Sequence, residues 1–491
     1  MKLTAMFQCA VLVTAMAVGM ACSPPRTAAP VSPPDTGGSG RESGAGGAGA
    51  TAGSPGTGGG RGGADAGGPA ASDAGLPTEP DAGLADTSVP GPDAGSGKTP
   101  DVAPAAVCGS GANRLGPPTA AELKAIDDRI KAAPYTPAGT NQGNNFAYGN
   151  AAKQAGQMRA MFALTGDVFY LDQMVKFADH MLAARNDAQT GRTIWTGRRE
   201  PCWPNKAETA GDAAYCGAEN GLVVGQIVGT AKVIFQNPAL WKRTVGIPDP
   251  NHYGATYLDR ARTYLREGRR TVDEFLVPNY VQPSDGNRIH IPTNPGFAAL
   301  PGNYAKDQGH ALPWNQQDMV VNALTVVSDS LLALGEEPDV VSRNDQIAKA
   351  ALDWFVSELQ RPEASYQVNG VPVYKWGYAP GNFKNIENLA HASADINMLY
   401  NGYRRGRAGI QRSVLVPMAN TFLDVIAKPD GTYASEVDGS GTRASVSGSW
   451  MNYEEFRAGI VARLSPKLTV ETSTSVEEAI SILSLRKRLC P

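Results

Sequence analysis

Ala152–Met181 reads AKQAGQMRAMFALTGDVFYLDQMVKFADHM. Ala155, Met158, Met161 and Phe162 recur at helical spacing, and beyond Thr165-Gly166-Asp167 so do Tyr170, Met174, Phe177, Ala178 and Met181. The spacing predicts two antiparallel helices, each with one apolar face, joined by a tight turn. The same unit returns in Asp318–Leu334 followed by Asn344–Leu359, and in Asn388–Tyr403 followed by Ile410–Ile426. Single helices are expected at Gly221–Phe235, Tyr257–Phe275, Tyr453–Arg463 and Val476–Leu489. Strand-like alternation is confined to Tyr366–Lys375, where Asn369-Gly370 suits a hairpin turn. The class predicted is all-α, with helix pairs set around a ring: an (α/α) toroid, incomplete or of six hairpins.

The loops between these helices are long and rich in Trp, Tyr, Asn, Gly and His, chiefly Gly143–Gly149, Trp195–Asn220, Asn287–Asn315, Trp376–His391 and Ser447–Glu454. Aromatic rings beside amides and charges suit a sugar, whose faces stack while its hydroxyls need donors and acceptors. Function is therefore expected in a cleft lined by these loops.

The N-terminus reads as a secretory signal over residues 1–21, with Lys2 ahead of the apolar run Val11–Met20 and a small-residue cleavage site at Gly19-Met20-Ala21. Cys22 follows at once, and the segment resembles the lipobox of bacterial lipoproteins, which implies acylation of that thiol. Gly19 stands where such signals usually carry Leu, so cleavage after Ala21 without a lipid is the alternative. Residues 22–106 are mostly Gly, Ala, Pro, Ser, Thr and Asp with no aromatic side chain, too little apolar surface to offset ordering entropy. They are expected to form a disordered tether of roughly 50 Å root-mean-square span. Residues 107–491 are then the folded domain, held outside the cytoplasm, in the periplasm or at the cell surface, and attached to a membrane through the lipid alone.

A net charge of −3 with no basic cluster sets nucleic-acid partners aside. Of six cysteines, Cys108, Cys202, Cys216 and Cys490 fall in the folded part. Three pairings are possible, and Cys202 with Cys216 and Cys108 with Cys490 are favoured for an exported domain. No CxxC spacing occurs and five histidines are scattered, so no metal and no cofactor are expected. A monomer acting on a polysaccharide or oligosaccharide is the partner reading.

Three motifs then appear in order: Pro313-Trp314-Asn315-Gln316-Gln317, Trp376-Gly377-Tyr378, and Glu387-Asn388-Leu389-Ala390-His391-Ala392-Ser393-Ala394-Asp395. The series resembles the signature of alginate-lyase-like and related uronate-acting (α/α) toroids, as scattered motifs over most of Asn144–Phe456. The resemblance implies β-elimination, in which a base removes the C5 proton of a uronic acid whose carboxylate is neutralised, and an acid protonates the leaving oxygen. It departs from the family at Asn144-Asn145-Phe146-Ala147-Tyr148-Gly149, where Phe146 replaces a histidine, and at Asn388, where a carboxylate is usual.

On this reading Tyr378, His391, Glu387 and His310 are the catalytic candidates. Tyr378 and His391 would transfer protons, Glu387 would orient or charge His391 from four residues upstream, and His310 would reach the same mouth. Arg198, in the loop closed by Cys202 and Cys216, could bind a carboxylate, although adjacent arginines are more often a solvated edge. Asn145, Tyr148, Glu219, Asn315 and Gln316 are candidate polar contacts, with helix capping their plain alternative. Trp314, Trp376, Trp450 and Tyr453 are candidate stacking residues, or core. A hydrolase using two of Glu219, Asp318, Glu387 and Asp395, or a glycan-binding lipoprotein without chemistry, are the rival functions.

Overall fold

The computed structural model describes residues 116–134, 150–187, 191–204, 214–300, 304–464 and 476–490, all within the compact unit Asp65–Pro491. The signal, the Cys22 anchor, the tether, Cys108, Asn145 and Tyr148 lie outside the described residues.

The class is all-α. Helices α1 (Ala120–Ala132), α2 (Asn150–Thr165), α3 (Val168–Ala183), α4 (Asn220–Phe235), α5 (Tyr257–Arg270), α6 (Trp314–Leu334), α7 (Pro338–Leu359), α8 (Leu389–Arg405), α9 (Arg412–Thr421) and α10 (Val476–Leu489) make up most of it. Their ends follow local chemistry. Thr119 with Glu122 and Thr256 with Asp259 form capping boxes for α1 and α5, Asp167 caps α3, and Asn388 caps α8. Gly335 and Gly406 end α6 and α8 in the left-handed conformation that lacks a penalty only for glycine. The expected hairpin pairs Ser365–Val368 with Val371–Tyr374 around Asn369 and Gly370, both at positive φ.

One expected helix is broken. Tyr453–Arg463 is split into a 3-10 segment, Gly448–Glu455, and a short helix, Ile460–Leu464. The buried Glu454 carboxylate accepts from Gly459 N and Val461 N at 2.9 Å each, which caps the second piece and fixes the break.

Packing follows a cycle. α2 packs on α4, α4 on α6, α6 on α8, α8 on the 3-10 segment, that segment on α10, and α10 back on α2; α3, α5, α7 and α9 pack outside them. Helix α4 is buried on every face except at Lys232, as a helix in the inner layer must be. Its approach to α6 is close enough that a side chain at Gly221 would meet the Met319 carbonyl at 1.9 Å.

Side-chain pairs show that the inner elements run parallel. Early residues match early ones, as Gly221 with Met319 and Gly225 with Asn322, and late residues match late ones, as Lys232 and Arg405 with Asp329. At the C-terminal end Asp329 of α6 accepts from Lys232 of α4 at 3.0 Å, Arg405 of α8 at 3.0 Å and Arg407 at 2.6 Å. Burial opposes the charge on Asp329, but the three cations outweigh it and hold its carboxyl well below the usual range.

Asp329→Asn leaves those cations without their shared partner, so a loss of about 3 kcal/mol is expected in chemical denaturation. Because the folded carboxyl is depressed, its stabilisation is present above the ordinary carboxylate range and drains as pH falls through it. The variant should accordingly show a shallower loss of stability between about pH 4 and pH 2 than the wild type.

Candidate active site

With the inner elements parallel, the N-termini of α4, α6 and α8 lie at one end of the ring, together with the loops that precede them. Each parallel helix presents unpaired N–H groups and a partial positive charge there. The loop Trp376–Asn388 is tied down by Glu387 N to Trp376 O at 3.0 Å and Tyr378 N to Asn385 O at 2.9 Å. Trp314 N donates to the Tyr378 carbonyl at 3.3 Å, fastening that loop to the start of α6.

Three of the four expected catalytic residues meet here. The Tyr378 and His391 rings are 5.4 Å apart, both partly exposed, and His391 Nδ1 is 3.4 Å from Glu387 Oε1. Asn388 governs the imidazole. Its Oδ1 accepts from Ala390 N and His391 N at the helix start, so its amide nitrogen is what faces His391 Nδ1 at 2.9 Å. A neutral His391 therefore accepts at Nδ1 and carries its proton on Nε2.

Behind His391 the helix buries two carboxyls. Glu387 and Asp395 are both 0 % exposed. Glu387 Oε1 accepts from Asn388 N at 2.8 Å, and Asp395 Oδ2 accepts from Trp376 Nε1 at 2.8 Å. Burial pushes both well above the ordinary carboxyl range.

The remaining candidates are placed differently. His310 is exposed on the turn before α6, and its imidazole makes no hydrogen bond to Tyr378 or His391. Arg198 has a side chain 72 % exposed that pairs with Glu200 of its own turn at 2.9 Å, the solvated edge that was the alternative to carboxylate binding. Trp314, Trp376, Trp450 and Tyr453 are fully buried. Trp314 packs against Trp354 and Phe355, Trp376 bonds Asp395, Trp450 packs on Phe422, and Tyr453 donates to Ile396 O. None has a face left for a sugar, so the stacking role expected of them is corrected to core packing. At the start of α6 Asn315 is buried, while Gln316 is partly exposed.

Glu219, at the start of α4, is buried against Tyr215 and Gly217. Gly217 N donates to Glu219 Oε1 at 3.2 Å, and a side chain at Gly217 would meet both Glu219 Oε2 and the Tyr215 hydroxyl at 2.2 Å. Burial pushes Glu219 up to about 7, against the pull of the Gly217 amide and the Tyr215 hydroxyl. Cys202 and Cys216 form the expected disulfide, which closes the loop leading to this helix. Cys490 is also disulfide-bonded.

Sequence reasoning passed over three of these residues. Asn388 was read only as a missing carboxylate, Asp395 only as a hydrolase candidate, and Tyr215 not at all. The signal for Asp395 was present: it stands four residues after His391, on the same face of the helix.

No protein-family model and no curated protein matches the chain. Among solved structures, a polysaccharide lyase aligns with 75% of this chain and 97% of its own length, at a TM-score of 0.33 and 14% identity. The functional reading therefore rests on the side chains.

Glu219 gives a direct check on the electrostatics of this end. Its folded value is raised, so the stability it contributes is complete below the unfolded carboxylate range and is lost as pH rises from about 4 to about 7. Glu219→Gln should flatten that fall by up to one proton, about 1.4 kcal/mol per pH unit at the steepest, in urea unfolding measured across the window.

Proposed function

We propose that this chain is an exported polysaccharide lyase that cleaves a uronate-containing polymer by β-elimination, with Tyr378 moving the proton and His391 beside it. The observation that carries the reading is the contact of Tyr378 with His391 at the N-terminal end of the inner helices. Both side chains are partly open, and His391 is held by Asn388 with an N–H on Nε2.

The chemistry follows from those groups. In its ionised form the Tyr378 oxygen takes the C5 proton of the uronate. The C4–O bond breaks as the C4–C5 double bond forms, and the same proton returns from the phenol to the departing oxygen. Negative charge grows on the sugar carboxylate meanwhile. The Nε2–H of His391 and the convergent helix N-termini favour an anion at this end, a general property of such termini. Gln316, partly exposed at the start of α6, is the polar group assigned to the flanking sugar.

The disposition of Glu387 and Asp395 speaks against hydrolysis by that pair. A hydrolase would need them on opposite sides of a glycosidic bond with room between them, whereas both are buried behind His391 and interact with each other. Export is supported by the Cys202–Cys216 disulfide, which suits an oxidising compartment, and by the signal-like N-terminus. Cys108 is proposed as the partner of Cys490. Attachment through a lipid on Cys22 is proposed from the lipobox-like segment; among the described residues no helix is long and apolar enough to cross a membrane.

Incubation of the purified chain with a panel of uronate polymers should release a product with the short-ultraviolet absorbance of a conjugated double bond. Tyr378→Phe should lower that rate by about 10²–10⁴ while far-ultraviolet circular dichroism is unchanged. Reducing ends appearing without that absorbance would identify a hydrolase and sink the reading.

A further inference from the structure

The two buried carboxyls behind His391 pose a problem of charge. Glu387 Oε2 and Asp395 Oδ1 are both sealed from solvent and have no donor. Neither residue forms an ion pair with lysine or arginine among the described residues; the only cation-forming neighbour is His391. Two bare carboxylates side by side in the interior would leave two uncompensated charges, which is prohibitively costly. Their side chains lie within hydrogen-bonding reach of each other. One proton between Oε2 and Oδ1 satisfies both orphaned oxygens at once and removes half of the charge.

Resting on the lyase reading for its role in catalysis but not for its own test, we propose that Glu387 and Asp395 share a single proton and that the charge left on the pair sets the protonation of His391 through Nδ1. They are positioning residues, since neither faces the solvent where substrate would lie. Nδ1 has two neighbours of opposite kind: the Asn388 amide, a donor, at 2.9 Å, and Glu387 Oε1, an acceptor, at 3.4 Å. The neutral ring uses the first. When Nδ1 takes up a proton it must turn to the second, and the negative charge on the pair rewards that choice. Nε2 keeps its proton in both forms, so the switch changes the charge of the ring facing Tyr378 without changing its donor.

The surroundings define which carboxyl presents the charge. Trp376 Nε1 donates to Asp395 from the preceding loop, and the backbone N–H of Asn388, just ahead of α8, donates to Glu387. Glu436, on the turn that bridges to Asn388, and Tyr453, from the 3-10 segment, are the other titratable groups facing the pair. Each carboxyl accepts one fixed donor, and His391 lies on the Glu387 side, with Nδ1 3.4 Å from Glu387 Oε1, so the charge of the pair is presented to His391 through Glu387.

The test reads His391 itself, by ¹⁵N imidazole titration of the full chain, and needs no substrate. Glu387→Gln should lower the His391 midpoint by about one pH unit or more, a tenfold loss of proton affinity, while the His290 signal stays in place as a control for folding. A midpoint that does not move overturns the proposal, whether or not the protein proves to be a lyase. Should Glu387→Gln fail to fold, the wild type decides alone. Its infrared spectrum, taken well above the Glu219 midpoint of about 7, should retain the C=O stretch of a buried protonated carboxyl, and its absence overturns the proposal. Absence of unsaturated product from every polymer, with the His391 shift intact, would remove the lyase reading and leave the proton-sharing pair standing.

Discussion

A single buried carboxylate gathers the late turns of three inner helices. Asp329 draws Lys232 from α4, Arg405 from the end of α8 and Arg407 just beyond it to one point. Parallel helices set side by side align their dipoles unfavourably, and cations at their C-terminal ends offset part of that cost. The alignment in turn fixes what happens at the opposite end, because helices held parallel at their last turns also bring their first turns together.

At that opposite end the chain uses the first turn of α8 for several purposes at once. Asn388 satisfies the helix with its oxygen and orients His391 with its nitrogen. Glu387 enters the interior just before the helix, and Asp395, two turns on, meets it there. Trp376, the largest side chain of the preceding loop, is spent on Asp395 and on packing against Phe355. The side chains that stay partly open, Tyr378 and His391, are held by ones that are not. A site of this build has its orienting groups locked by packing before any ligand arrives, which is what proton transfer over short distances requires.

The buried tryptophans show where reading residue types along a chain goes astray. Trp314, Trp376 and Trp450 stand in loop-like, polar stretches that look suited to a sugar, yet each ring lies in the core. A large aromatic next to a helix start closes the apolar interior from above, and whether it turns inward or outward depends on neighbours far away in sequence, such as Phe355 for Trp314 and Phe422 for Trp450. Arg198 errs the other way: its carboxylate partner is Glu200, two residues on, a local pairing that its setting in the sequence already allowed.

By itself the sequence determined the all-α class, the helix pairs with their turns, the Asn369-Gly370 hairpin, and the four-residue spacing that puts His391 and Asp395 on one face of α8 with Glu387 just ahead of it. These are local matters, decided by periodicity and by side chains bonding backbone a few residues away. Only the tertiary structure decided which aromatic rings are core, that Asn388 turns its amide to His391, that Tyr378 meets His391, and that two carboxyls lie together without a cation. Those outcomes depend on burial and on contacts between distant elements, and the energy of a buried charge is set by its surroundings rather than by its place in the chain.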